Sequence, residues 1–177
     1  MTTQNLISEG RRFGGITEGA PDGCDREMAE RLDQLFSAIS NGAPDVGKRF
    51  FTDGDVEHFQ WFSFTDRDAP GPGHFVTYSP DSIDVFVAAR HAAGDRFVLR
   101  GAKLIGYDSA AGTIGFSPVL FDYHLLGEDG EPAGHFGVGK GGYKCAADKF
   151  DGMSLGATVD DRLWRVTWDA LEPNIEK

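Results

Sequence analysis

Cysteine is scarce in this chain: Cys24 and Cys145 are its only two in 177 residues. Two cysteines cannot build the multi-bridge framework of a small disulfide-rich domain, and no C-x-x-C pair suggests a zinc or redox site. A single bridge between them is an open possibility at this point. No His-x-His or His-x-x-x-His pair occurs, and the spacing of Asp53, Asp55 and His58 matches no metal signature. We expect no metal site and no cofactor.

Basic residues are outnumbered, with 17 Lys and Arg against 28 Asp and Glu and a net charge of −11. This balance argues against nucleic acid and against anionic membrane surfaces as partners, because both require clustered cations. No run approaches 18 apolar residues, so we expect no membrane span. Arg11, Arg12 and Phe13 resemble a twin-arginine signal, but Gly14–Gly19 replaces the apolar run that should follow. A cytoplasmic location is therefore the default expectation.

What is present is the composition of a globular domain: 40% hydrophobic residues, 12% aromatic residues and 14 Phe. The length is that of one domain with a real core. We expect a flexible N-terminal segment over residues 1–23 and a single domain over residues 24–157. Residues 158–177 form a tail in which Trp164, Val166 and Trp168 alternate, a pattern that suits an added edge strand.

Three helices are predicted in the first half of the chain. Asp25 suits the N-cap of the first, and Asn41 with Gly42 suits its end. Ser79 followed by Pro80 is a strong start for another, ending at Gly94. Val46, Phe50 and Phe51 indicate a short helix between them. The first helix is amphipathic, with its apolar stripe formed by Met28, Leu32, Leu35, Phe36 and Ile39.

The second half of the chain is β-rich. The central feature is a long hairpin over Thr113–Cys145, with two β-rich arms around a loop bounded by Gly127 and Gly130. Each arm is longer than a usual strand, so the hairpin should curl. The other predicted strands are Val56–Phe64, Phe75–Tyr78, Arg96–Tyr107 and Lys149–Leu155.

Helices followed by an antiparallel meander indicate an α+β fold, with the helices on one side of a curved antiparallel sheet. The chain resembles the NTF2-like superfamily, the cone fold of nuclear transport factor 2, ketosteroid isomerase, scytalone dehydratase and SnoaL-type cyclases. The resemblance covers Asp25–Leu155. It rests on the first helix with Phe50 and Phe51 after it, on the Ser79-Pro80 helix and on the run Gly139–Cys145. It implies a cystatin-like cone with N-terminal helices in the concave face, an interior pocket and a homodimer through the outer face.

The run Asp122-Tyr123-His124 is the predicted catalytic group. Strand side chains alternate, so Asp122 and His124 should share a face with Phe116 and Leu120, and Tyr123 should face the other way. Burial in an apolar cavity would raise the pKa of the Asp and lower that of the His, as acid/base chemistry near neutrality requires. The alternative is that these groups sit near the hairpin end and meet solvent.

A second set of residues is predicted to bind a ligand. His135 and Tyr143 share one parity on the far arm of the hairpin unless a glycine bulge intervenes. His58 lies among aromatic residues on the strand that follows the short helix. The predicted ligand-binding residues are His58, Trp61, Phe116, His135 and Tyr143.

Two functions are compatible with these features. The first is an interior pocket for a small, partly apolar molecule. The resemblance implies that such a pocket serves a cofactor-independent isomerase or dehydratase of the SnoaL-like isomerase/lyase kind. The alternative is a non-catalytic, dimeric ligand-binding or protein-interaction module, because a fold does not fix a function. No local motif aligns with a catalytic member, so no catalytic role is transferred residue by residue and enzyme activity stays open.

Overall fold

The computed structural model describes residues 11–52, 59–63, 75–126 and 132–158. Some predictions lie outside these ranges: His58, the loop between the second and third strands, the hairpin tip and the alternating tail. For some strand residues, including His124 and His135, the backbone alone is described.

Helix α1 spans Cys24–Ser40 and buries every residue of its predicted stripe. Its N-cap is Gly23 in the left-handed conformation, at φ 82°, so the chain turns into the helix two residues before the predicted cap. Asp25 instead lies in the first turn, where a carboxylate is stabilised by the positive end of the helix dipole. Gly42, at φ 65°, follows the end of the helix, as predicted.

Helices α2, Val46–Phe50, and α3, Ile83–Ala92, complete the helical layer. Helix α3 begins three residues later than Pro80 because a turn precedes it. In that turn the Ser79 carbonyl accepts hydrogen bonds from the N–H groups of Ser82 and Ile83, both at 3.0 Å. Gly94, at φ 85°, ends the helix as expected. None of the helices in the described ranges is long and apolar enough to cross a membrane.

The strands form one seven-stranded sheet in the order β1-β4-β5-β6-β7-β2-β3. Neighbours pair antiparallel except for β1 with β4 and β2 with β7, which are parallel. The curved sheet carries the helices in its concave face, so the α+β prediction is confirmed. The strands are β1 Arg12–Ile16, β2 Phe59–Ser63, β3 Phe75–Tyr78, β4 Arg96–Asp108, β5 Thr113–Leu126, β6 Pro132–Lys144 and β7 Lys149–Thr158.

Strand β1 differs from the flexible segment predicted over residues 1–23. It adds to the sheet edge beside β4, and Phe13 is fully buried in the core. Its glycines made the segment look irregular, yet they serve the close pairing: a Cβ on Gly15 would lie 2.0 Å from the carbonyl oxygen of Leu104. The glycine that weakened the strand signal is thus required by the strand's position.

A bulge in β5 changes the predicted alternation. The pairing with β6 shifts between Phe116 and Val119, where Ser117 and Pro118 together lie opposite the single residue Lys140, so that β5 has one extra residue. As a result Phe116 joins Tyr123 in the hydrophobic core instead of sharing the face of Asp122. A bulge of this kind moves every later side chain of the strand to the other face relative to a simple alternation.

A disulfide bond joins Cys24 to Cys145, with Cα atoms 5.8 Å apart. It connects the first residue of α1 to the 3-10 turn Cys145–Ala147 that follows β6. The possibility left open by the sequence is thus realised. The bond fixes the helical layer to the sheet at the end opposite the C-terminus of α1.

Candidate functional site

A hydrogen-bonded cluster of three polar side chains lies against the aromatic interior. The Tyr123 hydroxyl donates to Asp95 Oδ2 at 2.7 Å, and Arg90 Nη1 donates to the Tyr123 hydroxyl at 2.9 Å. Arg90 Nη1 also contacts Asp95 Oδ2 at 3.2 Å, which closes the triangle. Asp95 is only 4% exposed. We call Arg90, Asp95 and Tyr123 the interior polar cluster.

Local structure at the end of α3 brings the first two members together. Arg90 lies on the last turn of α3, on the helix face that buries Phe86 and Val87. Gly94 then reverses the chain, and the Asp95 N–H donates to the Arg90 carbonyl at 3.0 Å. This turn holds the carboxylate beside the guanidinium, and their opposite charges offset the cost of burying either one alone.

The sheet supplies the third member. Tyr123 on β5 pairs in register with Phe97 on β4, two residues after Asp95. Strand side chains alternate, so Tyr123 points into the concave face whereas Asp122 points away from it. The side chain of Tyr123 is fully buried, and its hydroxyl reaches the polar cluster.

Aromatic rings surround the cluster. The Tyr123 ring lies 4.9 Å from Phe97 and 5.3 Å from Trp61, measured between centroids. The Arg90 guanidinium lies 5.6 Å from the ring centres of both Trp61 and Phe86, within range of a cation–π contact. The buried indole Nε1 of Trp61 has no hydrogen-bond partner among the described residues. This donor faces an apolar setting, in which an unpaired N–H is costly.

The arrangement can hold a proton and can bind a polar group. Tyr123 has a hydroxyl proton directed at a carboxylate, and the Arg90 cation beside it favours negative charge on either oxygen. A low-polarity aromatic setting strengthens these interactions relative to water. The cluster therefore places three hydrogen-bonded polar side chains in a buried setting of aromatic rings.

Sequence reasoning found Tyr123 and Trp61 but missed Asp95 and the role of Arg90. Two signals were available. Arg90 falls on the same helical stripe as Ile83, Phe86 and Val87, where a cation needs a buried partner. Asp95 directly follows the glycine that ends the helix, so it was within reach of the last turn. Neither signal identified Tyr123 as the partner across the sheet.

The other predicted catalytic residues are placed differently. Asp122 accepts hydrogen bonds from Arg100 on β4, with Oδ2 2.7 Å from Nε and 2.6 Å from Nη2. His124 pairs through its backbone with Arg96 on β4 and with Gly134 on β6. The catalytic roles predicted for Asp122 and His124 stay predictions.

Among the predicted ligand-binding residues, Trp61 contacts the interior polar cluster. Phe116 is fully buried and packs edge-on against Phe150, with ring centres 6.0 Å apart. The backbone of His135 lies opposite Tyr123 in the β5–β6 pairing. His58 lies outside the described residues. The proposed roles of these residues in ligand binding are untested.

Tyr143 lies in a separate part of the core. Its hydroxyl donates to Asp148 Oδ1, and Asp148 adopts the left-handed conformation after the 3-10 turn. Burial, followed by the hydrogen bond and the negative charge of Asp148, raises the pKa of Tyr143 far above its usual range. The Asp148 carbonyl also accepts a hydrogen bond from Arg31 Nε at 3.2 Å. Tyr143 therefore connects β6 to α1 through Asp148.

Metal-binding residues do not gather in the described part of the chain, where no group of three or more His, Cys, Asp or Glu side chains is placed to hold an ion.

Solved structures reveal what this chain is similar to. No protein-family profile matches it, and no curated protein does. A Streptomyces avermitilis protein of the NTF2-like family, provisionally named a dehydratase, matches at TM-score 0.56 and 12% identity over 80% of this chain and 100% of its own. A provisionally named calcium/calmodulin-dependent protein kinase II association domain from Xanthomonas campestris matches at TM-score 0.53 and 14% identity, covering 79% and 92%.

A Caulobacter vibrioides protein with a cystatin-like fold matches at TM-score 0.52 and 12% identity, over 83% of this chain and 96% of its own. Identities this low carry information on the fold alone, and the first two proteins differ in the functions that their names suggest. The resemblance read from the sequence is confirmed at that level: this chain has the NTF2-like, or cystatin-like, cone fold.

Proposed function

We propose that this protein binds a small, partly apolar molecule at the interior polar cluster and that Asp95 and Tyr123 perform acid/base chemistry on it without a cofactor. The observation that carries the proposal is the buried triangle of Arg90, Asp95 and Tyr123 set among aromatic rings. Small-molecule sites typically combine apolar walls with a few convergent polar groups. The reaction class is isomerisation or dehydration, the class suggested by the sequence resemblance.

The unpaired N–H of Trp61 supports a ligand that carries an oxygen acceptor. Buried donors without a partner are rare in proteins, so each one calls for an explanation. A carbonyl or hydroxyl oxygen beside Trp61 would satisfy this donor and would come near the Tyr123 hydroxyl, whose ring packs on the indole. Tyr123 would then turn its hydroxyl proton from Asp95 to that oxygen and donate it there, and the freed Asp95 carboxylate would accept a proton from a carbon atom of the ligand, which leaves Tyr123 as the phenolate and Asp95 as the acid.

A thermal-shift screen of small carbonyl and hydroxyl compounds tests the proposal. A compound present at a hundred times its dissociation constant stabilises the protein by about 2.7 kcal/mol. We expect Tyr123→Phe and Trp61→Phe to weaken binding of any compound found. Tyr107→Phe is the matched control, because it removes a tyrosine hydroxyl from a half-buried position outside the cluster. Equal binding by all three variants would refute the site.

Asp122→Asn separates the interior cluster from the site predicted from the sequence. If the cluster is the site, Asp122→Asn retains binding and turnover, since its carboxylate is held by Arg100 on the other face of β5. If the group Asp122-Tyr123-His124 acts together, Asp122→Asn and His124→Ala both abolish turnover. If the cluster is the site, Asp95→Asn abolishes turnover. If the group Asp122-Tyr123-His124 acts instead, Asp95→Asn retains it.

A non-catalytic dimeric module is the second candidate, and one surface feature favours it. Ile16 and Ile105 pair across β1 and β4 and are 59% and 55% exposed. Adjacent exposed isoleucines on a sheet form an apolar surface that a second copy of the chain would cover. Sedimentation of the wild type and of Ile105→Lys at micromolar concentration tests this. A monomer in both cases would exclude the dimer.

The disulfide bears on where the protein resides. Cys24 and Cys145 are bonded to each other, which leaves no free cysteine in the chain. Such bonds persist in oxidising compartments and are rare in a reducing cytosol. This favours an oxidising compartment over the cytoplasmic default taken from the sequence. Alkylation of free thiols in cells, followed by mass spectrometry, distinguishes the two locations. Both cysteines are alkylated if the protein resides in a reducing compartment, and neither is alkylated in an oxidising one.

A further inference from the structure

A second concave site lies between α1 and the start of β4. It has a volume of about 460 Å³, which is within the range of small-molecule sites. Its lining comes from Arg11, from the C-terminal half of α1 with Asn41 after it, and from the first residues of β4. None of the interior polar cluster lines it. We call it the α1–β4 cleft.

Charge in the α1–β4 cleft is unusual for so acidic a protein. Its charged side chains are Arg11, Asp33 and Arg96. Arg11 Nη2 contacts Asp33 Oδ1 at 3.0 Å, so these two charges largely neutralise each other. Arg96 is exposed, and its one described hydrogen bond runs from Nη1 to the carbonyl of Asp95 at 2.7 Å. The described lining of the cleft therefore carries one net positive charge, in a chain of net charge −11.

Phe36, Phe97 and Val98 contribute apolar groups to the floor of the cleft. Both phenylalanines are almost fully buried, at 1% and 4% exposed, whereas Val98, at 37%, is the most accessible apolar side chain of the lining. Ser37 and Asn41 stand on its α1 side and are exposed. The Ser40 hydroxyl, in contrast, is engaged with the backbone of Phe97, accepting from its N–H at 2.8 Å and donating to its carbonyl at 3.0 Å. These two bonds fix the end of α1 to β4, so the floor is rigid.

We propose that the α1–β4 cleft binds a monoanionic small molecule with a flat apolar body, such as an aromatic carboxylate. One negative charge matches the single uncompensated cation, Arg96, whose guanidinium suits the two oxygens of a carboxylate. The apolar body would contact Val98, the most accessible apolar side chain of the lining. The Ser37 hydroxyl and the Asn41 amide, on the α1 side, would form hydrogen bonds with polar substituents of the molecule.

This inference is independent of the interior site, because the two sites share no polar residue. Phe97 adjoins both sites: it is one of the residues that line the cleft, and its ring packs on Tyr123.

Benzoate is the test probe, and benzamide is its neutral counterpart of nearly the same shape. We expect benzoate to shift the amide resonances of Ser37, Asn41 and Val98 in a titration followed by nuclear magnetic resonance, and benzamide to shift them far less. Arg96→Gln should weaken benzoate binding about tenfold or more, since it removes a charge-assisted hydrogen bond. Added salt should weaken it as well, because Arg96 is exposed.

Lys103→Gln is the matched control, since it removes one positive charge from an exposed position of β4 outside the cleft. It should leave the affinity for benzoate unchanged. Equal weakening by Lys103→Gln and Arg96→Gln would mean that general electrostatics governs binding and would overturn the proposal. Equal affinity for benzoate and benzamide would overturn it too. Shifts confined to Trp61 and Tyr123 would assign the probe to the interior site instead.

Discussion

Loss of the disulfide is the perturbation whose size follows most directly from the structure. Cys24 and Cys145 are 121 positions apart in sequence. In the chain-entropy description, a cross-link closing a loop of that length restricts the unfolded chain and stabilises the native state by about 4.9 kcal/mol at 25 °C. Measured effects tend to be smaller, so we expect reduction to lower the free energy of unfolding by about 3–5 kcal/mol.

The native structure gives reduction little else to disturb. Cys24 is 2% exposed at the start of α1, and a reduced thiol still packs there as a small apolar group. The effect should therefore arise mainly in the unfolded state, which becomes more expanded without the bond. We expect the denaturant dependence of unfolding, the m-value, to rise on reduction as the midpoint falls. For a chain of this length, the expected drop in Tm is about 6–20 °C.

Urea unfolding and calorimetry of the wild-type protein, with and without a phosphine reductant, measure this directly. The Cys24→Ala/Cys145→Ala double variant supplies the control, because the reductant should not change its stability. Alkylation followed by mass spectrometry establishes the redox state of each sample. A non-reduced native protein that alkylates at both cysteines would refute the bond itself. A reduced protein with an unchanged midpoint and an unchanged m-value would refute the entropic reasoning.

Three further outcomes are expected. Tyr143→Phe should make the free energy of unfolding less sensitive to alkaline pH. Because the pKa of Tyr143 is raised in the folded state, the stability that this residue contributes is complete below pH ~10 and is lost as pH rises above that value. Urea midpoints at pH 9 and pH 11 measure the difference between the variant and the wild type. Gly47→Ala should cost about 3 kcal/mol in urea unfolding, because its Cβ would lie 1.6 Å from the carbonyl oxygen of Pro80; a neutral result would contradict that close packing. Asp122→Asn should change the free energy of unfolding by no more than about 1 kcal/mol, because its pair with Arg100 is partly exposed, and a larger loss would show that the pair is buried in solution.

Much of the architecture could be predicted because it depends on local patterns. The stripe of α1 repeats at helical spacing, so its buried face was predictable residue by residue. The long β5–β6 hairpin was predicted from its two arms and their glycine-bounded connection. Strand β1 was missed because Gly14 and Gly15 weaken the strand signal, and their reason for being there is the close approach of β4.

The candidate site was predictable only in part. Tyr123 was selected for its place on a long strand, but the face of that strand was ambiguous until the bulge at Ser117 and Pro118 was known. Asp95 carries no motif, and its proximity to Tyr123 depends on how α3 and β5 pack together. Hydrogen bonds between such distant positions follow from tertiary packing, which no local pattern encodes.

The sequence alone thus determined the secondary structure of most elements, the α+β class and the acidic, globular character of the chain, because periodicity, turn residues and composition act locally. The cone shape followed only from the family resemblance. Tertiary structure alone decided that Cys24 bonds Cys145 and that the Arg90–Asp95 pair meets Tyr123. Each of these depends on the distance between residues far apart in the chain, and that distance is set only when the helices pack into the curved sheet.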